Sequence, residues 1–500
     1  MTATRVWPLE RKPRRDDALV VEIDHLDSAG DGVATLSARI SGEPRKLRVL
    51  APGTLPGEVV TLRVLAVHRN DVECEVTSLD AATAGAARRV PPCPVALDIS
   101  APRSGPACGG CALQHTALEA QEAEKQRRLA QLLRAGERLR PLVGSPEGLG
   151  YRNKLELSCG PAVNEGHLAL GLHPRGYRHE LISLPACRLM AEGSARLIPA
   201  LGEWLRVRGF EAARRDGDGG LLRTVTLRET STGERLVDLG TTDAPTAMLD
   251  GASVASDVAA AAFAEAAVAL GEALSAPLTG VVWTRRRAAR GRRTELDTCT
   301  LFGRASITER LALPGGPLFL ELGPRTFFQP NTRAAERLYS LILEAACDEG
   351  TPRLALDLYC GVGGIALALA RRCEAVLGIE LVPESVAAAA ENARRNGLTN
   401  VTFEVGDAGA VLRERGLAPD VVVVDPPRAG LGVALDAVVA LGAARLVYVS
   451  CNPESLAREL PPLRRAGYEL IWAQGVDQFP HTPHVEVVAR LDRAPLPLPT

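Results

Sequence analysis

From residue 354 onward, short runs of consecutive apolar residues alternate with segments of helical character. The runs 354–359, 375–379, 401–405, 421–424 and 446–449 carry almost no polar positions, as strands buried on both faces do. Between them, 365–371, 384–395 and 454–460 predict helices. Pro383 opens the second helix and Gly397 stands just past its end, the asymmetry that helices favour. The alternation predicts a doubly wound, mainly parallel sheet, a Rossmann-like α/β domain over 321–495.

Upstream the pattern differs. Segments 19–26, 58–67 and 72–79 are short, rich in β-branched residues and punctuated by Gly30, Gly32, Gly53 and Gly57. They predict a small β-barrel of OB-like size over 15–80, followed by an Ala/Gly/Arg/Pro linker at 81–92. Residues 93–320 read as a mixed α+β domain. It has helical composition at 118–134, strands at 151–157, 168–172 and 221–228, and an Ala-rich packing helix at 259–274.

Length and composition fit this multidomain chain. Five hundred residues correspond to about three domains. Apolar content of 46% with 24% charged residues excludes a disordered or fibrous protein. The net charge of −2 excludes a uniformly basic coat, although arginines cluster at 11–15 and 285–293. Such runs are either solvated loops or phosphate-contacting patches. No apolar run approaches the roughly 18 residues of a membrane helix, and the N-terminal stretch has no secretory apolar region. The expectation is a cytoplasmic monomer with no membrane and no obligate protein partner. Eleven cysteines are too few and too scattered for a disulfide scaffold, which turns attention to metal and catalytic roles.

The chemistry-bearing residues fall at the carboxyl ends of the predicted parallel strands, where open α/β sheets bind ligands. Gly361, Gly363 and Gly364 let the backbone approach a ligand at a helix start. Glu380 ends the second strand and suits ribose hydroxyls. These features are shared with nicotinamide-binding folds. Asp407 after the third strand, Asp425-Pro-Pro-Arg428 after the fourth and Ser450-Cys451-Asn452-Pro453 after the next are not. Hydride transfer has no use for a cysteine at the last place, and together these residues point to S-adenosylmethionine.

Asn452 suits a helix cap and Pro453 the first helical position, which puts Cys451 at a helix N-terminus where the dipole lowers a thiol pKa. A thiolate is what methylation of a pyrimidine C5 requires. Addition at C6 builds electron density at C5, and a base must later remove the C5 proton. His481, His484 and Glu486 are candidates for that base, and Glu486, just before the closing run 487–491, is preferred.

The ordered set FFQPN, DLYCGVGG, VDPPRAGL, VSCNP and HVE resembles the RNA 5-methyluridine methyltransferase family across the last 180 residues or so. The resemblance implies that Cys451 is the nucleophile and Glu486 the base. It also implies that Gln329, Tyr359, Glu380, Asp407 and Asp425 contact the cofactor or the target base. Gly364 falls where some members carry a side-chain amide, so its contact must come from the backbone. The N-terminal unit resembles the TRAM module, a small RNA-binding barrel.

Cys108-Gly-Gly-Cys111, with Cys93 upstream and Cys187 downstream, suits zinc or an iron–sulfur cluster; spacing does not choose between them. The family resemblance implies a [4Fe–4S] cluster. The long gap after Cys93 leaves Cys74 or Cys159 as substitutes. Three functions stay open: uridine-C5 methylation of RNA, methylation of RNA cytosine or a small molecule, and an inactive iron–sulfur RNA-binding protein. For the first, 23S ribosomal RNA is preferred to transfer RNA because of the barrel and the cysteine set.

Overall fold

The computed structural model describes residues 11–494 apart from 41–42, 102–104, 164–165, 177–178, 215–219 and 288–293. The chain forms two compact units. One comprises residues up to 123 with 161–184 and 480–483; the other holds 124–160, 185–479 and the residues from 484 on.

The N-terminal part of the first unit carries six described strands, Ala18–Glu22, His25–Leu26, Gly32–Ile40, Glu43–Ala51, Val59–Val67 and Asp71–Leu79. They form one sheet in the spatial order first, fifth, sixth, fourth, third, second. Leu47, Val49 and Ala51 on one strand and Val60, Leu62 and Val64 on another fall at alternate positions and fill a core of its own. The stretch 81–92, expected as a linker, is pinned rather than loose. Arg88 donates to both Glu58 carboxylate oxygens at 2.6 Å and to the Gly53 carbonyl at 2.9 Å. The arginine run 11–15 is partly neutralised by Asp17, which pairs with Arg11 at 2.9 Å.

In the second unit, strands Lys154–Pro161, Leu222–Glu229, Arg235–Thr242, Gly280–Arg287 and Glu295–Gly303 lie side by side in that order. Leu155, Leu157, Val225, Leu227, Leu239 and Val281 are buried on one face. Glu156, Thr226 and Asp238, in register on neighbouring strands, lie on the other face, where Thr226 and Asp238 are buried beside Leu236 and Val282 of a larger core. Helix Ser256–Ala273 buries Ala259, Ala260, Phe263 and Ala267, the packing role its composition predicts. Within the second arginine run, Arg285 pairs with Asp297 and stacks 4.7 Å from the Trp283 ring; positions 288–293 lie outside the described residues.

The expected Rossmann-like domain is present as an eight-stranded sheet. Its order is Val401–Val405, Ala375–Glu380, Leu354–Leu358, Val421–Val424, Arg445–Ser450, Glu486–Arg493, Tyr468–Val476 and Leu139–Val143. The first five strands are mutually parallel, and Glu486–Arg493 runs antiparallel between its two neighbours. The order reverses between Leu354–Leu358 and Val421–Val424, the crevice where such sheets bind ligands. The far edge strand, Leu139–Val143, comes from well upstream of the predicted 321–495 segment. A helix that the apolar pattern left unassigned, Thr332–Cys347, covers the sheet; Asn331 caps it by accepting from the Ala334 N–H at 3.1 Å. Among the described residues no helix is long and apolar enough to cross a membrane.

Candidate active site

A cavity of about 330 Å³ opens at the switch point, lined by Gln329, Tyr359, Gly361, Gly364, Asp425, Cys451 and Glu486, with further residues from the same loops. Seven residues singled out in the sequence thus meet around one space. Five of them follow three different strands, Gln329 precedes the helix Thr332–Cys347 and Glu486 opens the strand Glu486–Arg493, which is why they are distant in sequence.

The turn after Leu354–Leu358 is held open from behind. Tyr359 (φ +67°) and Gly361 (φ +54°) take left-handed conformations. The Gly361 N–H donates to Glu380 Oε2 at 3.1 Å, and Val382 N–H donates to Glu380 Oε1 at 3.0 Å. Glu380 therefore fixes the turn and keeps its remaining lone pairs for a ligand. Asp407 takes the cap position of Ala408–Glu414, accepting from Ala410 N–H at 2.9 Å. Its charge, after burial, is the next cause that raises the Tyr359 phenol. At Gly364 a Cβ would lie 2.5 Å from the Tyr339 hydroxyl, so the side-chain amide of some relatives has no room here. Tyr339, unnoticed in the sequence, takes that space and lines the cavity. Its signal was the apolar spacing Ala335, Leu338, Tyr339, Ile342 along a capped helix.

Three carboxyls crowd the cavity and its floor. Asp357 is fully buried, and burial, then the charges of Asp425 and Glu380, push its carboxyl well above the usual range. Burial pushes Asp425 up to about 6. Glu486 is raised well above an ordinary glutamate by burial and then by Asp425, with Arg428 opposing. Glu486 Oε2 is buried with no partner among the described residues, an acceptor left open inside the cavity. Of the histidines weighed beside it, His484 sits 3.4 Å from Arg428, while His481 is hydrogen-bonded to Gln121 in the first unit.

Cys451 corrects one expectation. Its thiol is pushed up to about 11, first by burial and then by the charges of Glu486 and Asp425, against Arg428. A helix dipole, worth about 0.3–1 kcal/mol, does not outweigh these. The helix does begin where predicted, at Pro453, but it runs to Arg465 through Pro461 and Pro462 instead of stopping at 460. Asn452 occupies the cap position without a side-chain cap bond; its Nδ2 donates to the Arg428 carbonyl at 2.8 Å instead.

The proposed metal cysteines fare differently. Cys93, Cys108 and Cys111 belong to the first unit and Cys187 to the second. The Gly110 N–H points at Cys108 Sγ, 3.5 Å away, the kind of bond a thiolate accepts. Among the described residues, however, no group of three or more His, Cys, Asp or Glu side chains is placed to hold a metal, so the expected [4Fe–4S] ligand set does not emerge. Of the substitutes, Cys74 lies in the core of the six-stranded unit, and burial pushes both it and Cys159 up to about 12 in the absence of a metal.

A glycine turn, an acidic residue closing the next strand and a cavity at the switch point are common to nucleotide-binding α/β folds; the comparisons with known proteins assign this one to the S-adenosylmethionine-dependent methyltransferases. A general methyltransferase domain matches residues 354–471, and the profile of the tRNA (uracil-5-)-methyltransferase family matches 266–409. An uncharacterised RNA methyltransferase of Clostridium acetobutylicum is 33% identical over 89% of this chain and 93% of its own. One of Protochlamydia amoebophila is 37% identical over 77% of this chain and 88% of its own. The fold matches that of the Pyrococcus abyssi tRNA (uracil-54, C5)-methyltransferase in complex with S-adenosyl-L-homocysteine. The TM-score is 0.67 at 24% identity, over 95% of this chain and all of that one. The chain belongs to the uracil-5 RNA methyltransferase family.

Proposed function

We propose that this enzyme methylates C5 of one uridine in RNA through a covalent Cys451 adduct. The supporting observation is that Cys451 and Glu486 line one cavity with the glycine turn and Gln329. S-adenosylmethionine, when bound, supplies an electrophilic methyl group. Cys451 loses its proton to solvent and adds through Sγ to C6 of uracil; the C5=C6 π electrons shift onto C5, which becomes nucleophilic. Once C5 carries the methyl, Glu486 accepts the C5 proton at its open oxygen. The C6–S bond then breaks and Cys451 leaves as thiolate. Gln329, Tyr359, Gly361, Gly364, Glu380, Asp407 and Asp425 are the proposed cofactor and base contacts. Asp425, raised by burial, and the Gln329 amide suit the polar edge of uracil.

The six-stranded unit and the mixed domain that follows it are the proposed RNA-binding parts of the chain. Ribosomal RNA remains the favoured substrate on the sequence. The name of the similar Pyrococcus abyssi structure supports transfer RNA as the second reading. Purified enzyme given labelled S-adenosylmethionine and each RNA class should yield 5-methyluridine in one class, at one mapped site. 5-Methylcytidine as the product would refute the proposal. The [4Fe–4S] cluster on Cys93, Cys108, Cys111 and Cys187 is proposed on spacing and resemblance alone. Anaerobically purified protein should carry about four irons per chain, and Cys108→Ala with undiminished iron would sink the assignment.

A further inference from the structure

The loop 425–432, which carries Asp425 and Arg428, is clamped onto the helix that begins two residues after Cys451. Asn452 Nδ2 donates to the Arg428 carbonyl at 2.8 Å, and Arg458 donates to the Ala429 carbonyl at 3.3 Å. The third clamp is Glu459, buried on the same helix. Its carboxylate accepts from Leu431 N–H at 3.2 Å, Gly432 N–H at 3.1 Å and the Tyr448 hydroxyl at 2.7 Å. Tyr448 belongs to Arg445–Ser450, the strand that delivers Cys451. Burial and the Glu459 charge both raise the Tyr448 phenol, which keeps it a donor. Gly430 makes the approach possible, since a Cβ there would lie 2.5 Å from Glu459 Oε1 and its φ is +92°.

We propose that Glu459 is a positioning residue for methyl transfer: it locks the Asp425–Arg428 loop in register with the strand that carries Cys451. A neutral hydrogen bonder could fill the same space. A buried carboxylate accepting from three donors in two elements makes stronger, charge-assisted bonds and fixes both elements at once. Glu459 faces the backbone of the loop and does not line the cavity, so it acts through Asp425, Arg428 and Cys451. Misplacing reacting groups by about 1 Å costs on the order of a hundredfold in rate.

The inference rests on the proposed adduct chemistry, and its test separates the two. Full-length wild type, Glu459→Gln and Tyr448→Phe are each given RNA bearing 5-fluorouridine, and adduct formation is timed on denaturing gels. Methyl-transfer kcat and KM on ordinary RNA and calorimetric affinity for S-adenosylmethionine are measured in parallel. Glu459→Gln should slow adduct formation and kcat about 10- to 100-fold, with cofactor affinity within about twofold. Tyr448→Phe, which removes one donor, should slow both by about three- to tenfold. Wild-type kcat in Glu459→Gln, or a change confined to KM, would overturn the role. If that variant does not fold, unchanged kcat in Tyr448→Phe overturns it. A wild type that makes 5-methyluridine without any adduct would instead defeat the Cys451 mechanism, and the kcat comparison would still decide on Glu459.

Discussion

Cys451→Ala is expected to abolish 5-methyluridine formation, with kcat falling by about 10⁴-fold or more, the scale for removing a covalent nucleophile. Cofactor affinity should survive, because the glycine turn and Glu380 are untouched. On RNA carrying 5-fluorouridine the wild-type enzyme should become trapped, since fluorine replaces the proton that Glu486 removes. The variant should give no denaturant-stable adduct. An adduct in Cys451→Ala would refute the assignment. The environment of the thiol adds a second expectation. Burial and two carboxylates push it up to about 11, which favours the thiol over the thiolate in the RNA-free enzyme. If thiolate formation limits addition, wild-type adduct formation should rise with pH between about 7 and 9. A flat profile there would mean that RNA binding itself ionises the thiol.

Glu486→Gln should separate the two halves of the reaction. The amide cannot take the C5 proton, so methylated RNA should accumulate covalently attached to Cys451 on unmodified substrate. Steady-state turnover should fall by about 10²–10⁴-fold, the usual range for general acid–base catalysis. The substitution is close to isosteric at a position only 3% exposed, and it removes a carboxylate repelled by Asp425. Thermal stability should therefore hold or rise. Loss of adduct together with loss of turnover would indicate that Glu486 is needed before C5 is methylated, and Asp425 would become the better candidate base.

The parallel strands, the helix starts at Pro383 and Pro453 and the convergence of Cys451, Asp425 and the glycine turn were all legible in the sequence. Buried parallel strands are local apolar runs, and ligand-edge residues follow them directly. What escaped was set by tertiary contact. Tyr339 fills the space beside Gly364 from a helix whose apolar spacing was left unread. The strand Leu139–Val143 joins the sheet from more than two hundred positions upstream, which no local pattern encodes. The thiol's raised pKa was missed because a helix start is visible in sequence, whereas burial beside Glu486 and Asp425 is not. Asn452 was read as a cap because its type suits one; a long-range carbonyl at Arg428 competes for the same amide.

Glu486–Arg493 lies between Arg445–Ser450 and Tyr468–Val476, although it comes after both in the sequence and is the last strand among the described residues. During synthesis those two strands emerge first and have no direct partner in each other. The sheet can close only when residues near position 490 have left the ribosome, and the same event brings Glu486 to the cavity. On the proposed mechanism, placing this strand and placing the base are one step in time, and a chain lacking residues 486–493 should release no 5-methyluridine.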